Sequence, residues 1–248
     1  MRYFIEVAYH GALYHGWQVQ PNAETVQEKL NFVLSKLLRA EIEITGSGRT
    51  DTGVHCSQQF AHFDYDDEIV EKDLLHKANS FLPPDISLKS IRRVTDEAHA
   101  RFDAVSRSYE YKITLHKNPF LQGLAYTLRW TPDLKLLNQA ASVLPEYTDF
   151  EAFSKIHSDV HTHNCDIMEA YWVQNGDDLT FHIKANRFLR GMVRIITGNL
   201  LQVGLGKLSI EEMRDIIEKK DRKRAARFLV PGHGLYLNQV TYPESIWL

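Results

Sequence analysis

Cysteine is nearly absent. Cys56 and Cys165 are the two in 248 residues. They stand in unrelated contexts without CxxC spacing, which argues against a disulfide framework and fits a reducing compartment, the cytoplasm. Long hydrophobic runs are missing as well. No segment approaches the roughly 18 uninterrupted apolar residues that a bilayer span needs. Glu6 interrupts the apolar start Tyr3-Phe4-Ile5, so no signal peptide is expected. Charge of one sign is not in excess. A formal net charge of −3 argues against a uniformly basic nucleic-acid coat and leaves room for a local basic groove. No GxGxxG follows a strand, there is no Walker loop, and Gly204-Leu205-Gly206 is too short to stand for either. No nucleotide, redox cofactor or metal is therefore expected. Internal repeats, linkers and low-complexity segments are absent. What remains is a chain that is 44% hydrophobic, enough for a substantial core in one large domain or two small ones.

Chemistry concentrates in Gly46-Ser47-Gly48-Arg49-Thr50-Asp51-Thr52-Gly53-Val54-His55. This glycine-rich loop lies between two segments that alternate like strands, Glu41 to Thr45 and Gln59 to Asp64. A carboxylate flanked by glycines can be approached closely by a ligand, because nothing bulky shields it. Arg49, two positions before Asp51, points the same way in an extended chain and can grip a phosphate. The residues alone leave two readings open: an active-site carboxylate, or a turn-capping Asp with a surface Arg partner.

The loop sequence GRTDTGVH resembles the GRTDAGVH signature of the tRNA pseudouridine synthase A family. Further segments match in order. Tyr9-His10-Gly11 with Tyr14-His15-Gly16-Trp17-Gln18 resembles the family's YDG…YxGWQ. Asn79…Leu82-Pro83-Pro84-Asp85-Ile86 resembles NxxLPxDI. Ala98 to Phe102 resembles FHARF, Arg107-Ser108-Tyr109-Glu110-Tyr111 resembles RxYxY, and Phe188 to Arg194 resembles F…MVR. The likeness covers essentially the whole chain. It departs from the family at Thr52, where Ala is usual, and at His10, where Asp is common.

Elsewhere the pattern is local. Arg2 to Tyr9 alternates as a strand. Thr25-x-x-Glu28 is a capping box for a helix carrying Val26, Leu30, Val33, Leu34, Leu37 and Leu38 on one face. Trp17 is expected to pin its turn to the core, and Cys56 to be a small buried thiol. A helix over 70–82 stops at Pro83-Pro84. Strands follow at 86–94 and from Tyr109 to Leu115, then a helix over 133–144. A hairpin spans 167–185 around Asn175-Gly176-Asp177-Asp178. Arg187, Arg190 and Arg194, spaced three and four apart, are expected on one helix face, where they suit a phosphate backbone. Ser209-x-x-Glu212 opens another helix, and 219–224 is a dense basic cluster, either a solvated helix end or a tRNA contact. His157, His161, His163 and Cys165 lack paired-ligand spacing, so the histidine segment is read as a surface loop rather than zinc. The last strand is expected at 234–242.

Intermixed strands and helices with hairpin connections predict an α+β fold with a largely antiparallel sheet flanked by helices. The resemblance implies more: a pseudouridine synthase fold of two related α/β halves around a central cleft, residues 1–248 as one catalytic unit with halves near 1–105 and 106–248. It implies an isomerase converting uridine to pseudouridine at positions 38, 39 and 40 in the anticodon stem-loop of tRNA, as a homodimer. By the same resemblance Asp51 is the catalytic nucleophile, Tyr109 contacts the target base, Arg49 and Arg194 bind substrate, and Arg194 is the ion-pair partner of Asp51. Arg187 and Arg190 are expected to bind RNA. A tRNA-binding protein without catalysis is the rival expectation.

Overall fold

The computed structural model describes residues 1–155 and 161–248. The chain divides into two compact units, Met1–Ser106 with Leu237–Leu248, and Arg107–Tyr236.

The alternating start of the first unit becomes β1 Arg2–Tyr9. Thr25 then caps α1 Val26–Leu38, its hydroxyl accepting the Glu28 amide. The apolar stripe of α1 is buried at Val26, Leu30, Val33 and Leu34. After it come β2 Thr45–Gly46, β3 His55–Asp64, α2 Glu71–Phe81 and β4 Ile86–Val94. β1 lies between β4 and β3 and is antiparallel to both, with Ile5 opposite Ile91 on one side and Ala61 on the other. One face of this sheet carries an aromatic cluster, with Phe60 5.2 Å and Phe4 5.4 Å from Tyr242, and Trp247 against all three rings. Asn79 on α2 brackets Leu88 on β4, donating to its carbonyl and accepting from its amide, both at 2.8 Å. That bracket gives the Asn79…Asp85 segment a fixed position at the start of β4.

The second unit follows the same logic. β5 begins at the boundary residue and spans Ser106–Thr114, with β6 Tyr126–Thr127 parallel beside it. Asp133 caps α3 Leu134–Ala141. The hairpin forms as β7 Ile167–Asn175 and β8 Asp178–Ala185, and Gly176 supplies the left-handed turn residue at φ +58°. β8 pairs antiparallel with both β5 and β7, so Tyr111, Phe181 and Trp172 form a buried row. α4 Met192–Gly204 is apolar almost all round, as a core helix must be, and Gly198 lets it pass close to the Phe228 backbone. The Ser209 capping box opens α5 Ile210–Glu218 with both reciprocal bonds made. A short α6 Arg222–Ala226 follows. The chain crosses into the first unit within β9 Leu235–Thr241, which lies next to β3. The fold is α+β with mostly antiparallel strands, as the patterning predicts. Among the described residues no helix is long and apolar enough to cross a membrane.

Two expectations require correction. Of the strand expected from Glu41 to Thr45, only Thr45 is a strand residue, in β2, while residues 41–44 are irregular, although Ile42 and Ile44 are both buried. The amides of Ile42 and Ile44 bond to the Ser35 hydroxyl and the Asn31 carboxamide on α1, so the segment is held by helix side chains in place of a sheet partner. Arg187, Arg190 and Arg194 do not share a helix face. Gly191, at φ +74°, is the N-cap of α4, which starts at Met192, so only Arg194 is helical.

Candidate active site

The loop 47–54 is positioned from three sides within the first unit. Ser47 donates its amide to the Phe60 carbonyl at 2.7 Å and is thereby fixed to β3. The amino-terminal segment 11–17 backs the loop. The Trp17 amide donates to the Thr50 carbonyl at 3.3 Å and the Gly53 amide to the Tyr14 carbonyl at 3.3 Å. The Val54 amide donates back to the Asp51 carbonyl at 3.2 Å, which closes the turn around Gly53 at φ +76°. Trp17 is 1% exposed and covers Gly46, so it pins the turn as expected. The third support is a buried set of polar side chains. The Tyr9 hydroxyl lies 2.8 Å from the Thr50 hydroxyl and donates to Gln59 Oε1 at 3.2 Å, while Gln59 Nε2 donates to the Gly48 carbonyl at 3.1 Å.

On this scaffold Asp51 is half-buried and Arg49 exposed. Arg49 donates from Nε to Gln18 Oε1 at 3.1 Å. A guanidinium has five N–H donors, so one tethered at Nε retains a fork for a phosphate. His55 plays a different part. It is 1% exposed, and its Nδ1 accepts the Gly11 amide at 3.0 Å, which places its ring proton on Nε2. Its ring lies 4.5 Å from that of His10, the residue that departs from the family pattern. Tyr14 donates to Asp85 Oδ1 at 2.7 Å and so joins the loop's backing segment to the Pro83-Pro84-Asp85 turn. Burial, and then this bond, push the Tyr14 phenol well above its usual range.

The second unit holds the remaining candidates. Tyr109 lies on β5 opposite Ile183, half-buried, with Phe188 edge-on at 5.1 Å. Arg194, in the first turn of α4, donates from Nε to the Val230 carbonyl at 2.8 Å. Burial, with Arg194 next, lowers the pKa of His233. Arg187 and Arg190 lie in the irregular stretch between β8 and α4, half-buried and exposed respectively, and the Arg190 carbonyl accepts the Lys155 amide at 3.0 Å.

A family model described as tRNA pseudouridine synthase matches residues 5–103 and 147–243. The chain belongs to the tRNA pseudouridine synthase family. Curated relatives agree along the full length. It is 49% identical over 247 residues to a tRNA pseudouridine synthase A of Parabacteroides distasonis, covering 99% of this chain and 98% of the relative. A tRNA pseudouridine synthase A of Bacteroides thetaiotaomicron is 49% identical over 249 residues, covering 99% and 92%. One of Legionella pneumophila is 38% identical over 252 residues, covering 100% and 95%. The chain is therefore an enzyme of an isomerase family. Arg49, Asp51, Arg187, Arg190 and Arg194 all fall inside the segments the family model matches, and Tyr109 falls between them.

Within this family member the histidine segment has a structural partner set. His157 lies outside the described residues. Asp149, Glu151 and His163 bring ligand atoms within 4.8 Å of one another. However, Lys220 already meets Asp149 at 2.7 Å, and Arg222 meets Glu151 at 3.3 Å and His163 Nε2 at 2.9 Å. Two cations supply the positive charge that a metal would bring. The same contacts absorb much of the basic cluster, since Lys219 pairs with Asp215 and Arg224 with Glu212 as well. Cys56 and Cys165 are buried thiols whose pKa values burial raises, that of Cys165 to about 11.

The sequence places Tyr9, Gln18 and Phe188 in family-like segments and Gln59 at the start of a strand, but assigns none of them a part in the site. For Gln59 no local signal stood out, because Ser57 and Gln58 before it are polar as well.

Proposed function

We propose that this enzyme isomerises uridine to pseudouridine at positions 38, 39 and 40 in the anticodon stem-loop of tRNA, with Asp51 as nucleophile. One observation carries the reading. Asp51 stands on a loop tied down at Ser47, Gly48, Thr50 and Gly53, beside an exposed arginine, inside a segment that the family model matches. The reaction breaks the N1–C1′ bond and joins C5 to C1′. C5 loses a proton and N1 gains one, so no atom is added and no electron is taken up. Attack of the Asp51 carboxylate at C1′ follows the carboxylate chemistry of retaining glycosidases. Addition to the base is the other route, and both need the same side chain. The target base must leave the stack first. In this reading Arg49 grips the displaced backbone, Tyr109 packs on the uracil, Arg194 binds substrate, and Arg187 and Arg190 contact RNA phosphates.

The whole chain serves as one catalytic unit, acting in the cytoplasm as a homodimer that sedimentation would test. Tritium release from tRNA carrying tritium at uridine C5 tests the central claim. Wild type releases tritium and Asp51→Asn binds tRNA without release. Turnover by Asp51→Asn would sink the nucleophile assignment. Binding without release by the wild type would leave a non-catalytic tRNA-binding protein.

A further inference from the structure

Three polar side chains are buried under the Asp51 loop, and their bonds converge on one place. Gln59 is fully buried, Tyr9 is 5% exposed and Thr50 is 9% exposed. Burying such groups costs free energy unless each finds a partner, and an apolar trio of the same shape would fill this space at no such cost. Here the partners are specific. Gln59 Nε2 holds the carbonyl of Gly48 and Gln59 Oε1 takes the Tyr9 proton. With that proton engaged, the Thr50 hydroxyl donates to the Tyr9 oxygen at 2.8 Å. The two loop positions held are 48 and 50, which bracket Arg49, and 50 immediately precedes Asp51. Thr50 is also held at its carbonyl by the Trp17 amide. Its side chain and its peptide plane are thus both fixed, and so is the direction in which the Asp51 side chain leaves the backbone.

We propose that Gln59, Tyr9 and Thr50 form a positioning clamp for Asp51, so that the Thr50 hydroxyl is required for the rate of the chemical step and not for tRNA binding. The proposal rests on the reading of Asp51 as the reacting group. Misplacing a reacting group by about 1 Å costs on the order of a hundredfold in rate. A lost clamp that leaves the rest of the loop in place should cost less.

The test is the steady-state rate of tritium release from C5-labelled tRNA, with kcat and KM resolved and thermal stability recorded for each variant. Thr50→Val keeps the shape and removes the hydroxyl. Thr50→Ser keeps the hydroxyl. Tyr9→Phe removes the bond from its other end, together with the bond from Tyr9 to Gln59. The expected result is a kcat loss of about tenfold in Thr50→Val and in Tyr9→Phe, with KM within about twofold of wild type. Thr50→Ser should return to within about threefold. The double variant should be no slower than Tyr9→Phe alone, because that variant already lacks the bond to Thr50. Wild-type kcat in Thr50→Val would overturn the clamp, as would a loss that follows KM or thermal stability and that Thr50→Ser does not rescue. Asp51→Asn in the same assay separates the two claims. If Asp51→Asn turns over, the reading of Asp51 fails and the clamp fails with it. If Asp51→Asn is inactive and Thr50→Val is normal, only the clamp fails.

Discussion

Gly16 meets the carbonyl of Thr50 so closely that a Cβ on it would stand 2.3 Å from the oxygen, and its φ is +92°. Gly11 meets the Val54 carbonyl in the same way, at 1.9 Å. The Asp51 loop is therefore packed backbone to backbone against the segment that follows β1. Gly16→Ala combines a steric overlap with a disfavoured backbone. It should lower stability by about 2 kcal/mol or more and lower turnover with it. Gly48→Ala meets nothing within 4 Å and should stay within about 0.5 kcal/mol of wild type. Urea melts of the two variants make the comparison, and equal melts would refute the packing argument.

The Tyr14–Asp85 bond predicts an alkaline limit. The phenol pKa is raised in the fold, so above about pH 10 the unfolded chain sheds protons that the folded chain keeps. Stability from this group is complete below that pH and falls as pH rises through the folded value. Tyr14→Phe should lose about 1–2 kcal/mol at pH 7 and show a shallower decline above pH 10. Melting temperatures across pH 7 to 11 would expose an unchanged slope.

His62 sets an acid limit. Burial lowers its pKa to about 4, with Arg2 and His99 adding to the effect and Asp64 and Asp103 opposing it. Its Nδ1 accepts the Ala100 amide at 3.1 Å, a bond that ring protonation at that atom would break. Between the unfolded value near 6.5 and about 4, the unfolded chain binds the extra proton. Stability is therefore full above pH 6.5 and declines as pH falls, by roughly 2–3 kcal/mol from this group. His62→Asn, which keeps an acceptor and removes the titration, should flatten that limb in denaturant melts. A limb as steep as wild type would assign the acid loss elsewhere.

Gln18 holds Arg49 by its Nε. Arg49→Ala should weaken tRNA binding by about tenfold or more, and Arg49→Lys should recover only part of it, because the fork is lost. Gln18→Ala should fall between wild type and Arg49→Lys. Filter binding at fixed salt measures the order, and equal affinity for all four proteins would refute the assignment of Arg49 as a substrate contact.

The basic cluster at the end of α5 faces carboxylates. Lys220→Met should lower thermal stability by breaking contacts to Asp149 and Glu151 and should leave tRNA affinity within about twofold. A large fall in affinity and in its salt dependence would show instead that Lys220 contacts phosphate.

The sequence by itself determined the features that depend on near neighbours. The alternation of β1 and β4, the caps at Thr25 and Ser209, and the turn at Gly176 are each set by residues within a few positions of one another. Asp51 and Arg49 were legible as candidates for the same reason, since one ten-residue stretch carries them. Only the tertiary structure decided the rest. Ile42 and Ile44 alternate like a strand, yet distant side chains on α1 take their amides. The arginine spacing reads as helical, yet a left-handed glycine starts α4 beyond two of them. The clamp under Asp51 joins positions 9, 48, 50 and 59, and no local period relates them. A buried polar group must find its partner wherever the fold brings one, so its meaning appears only when the strands are paired.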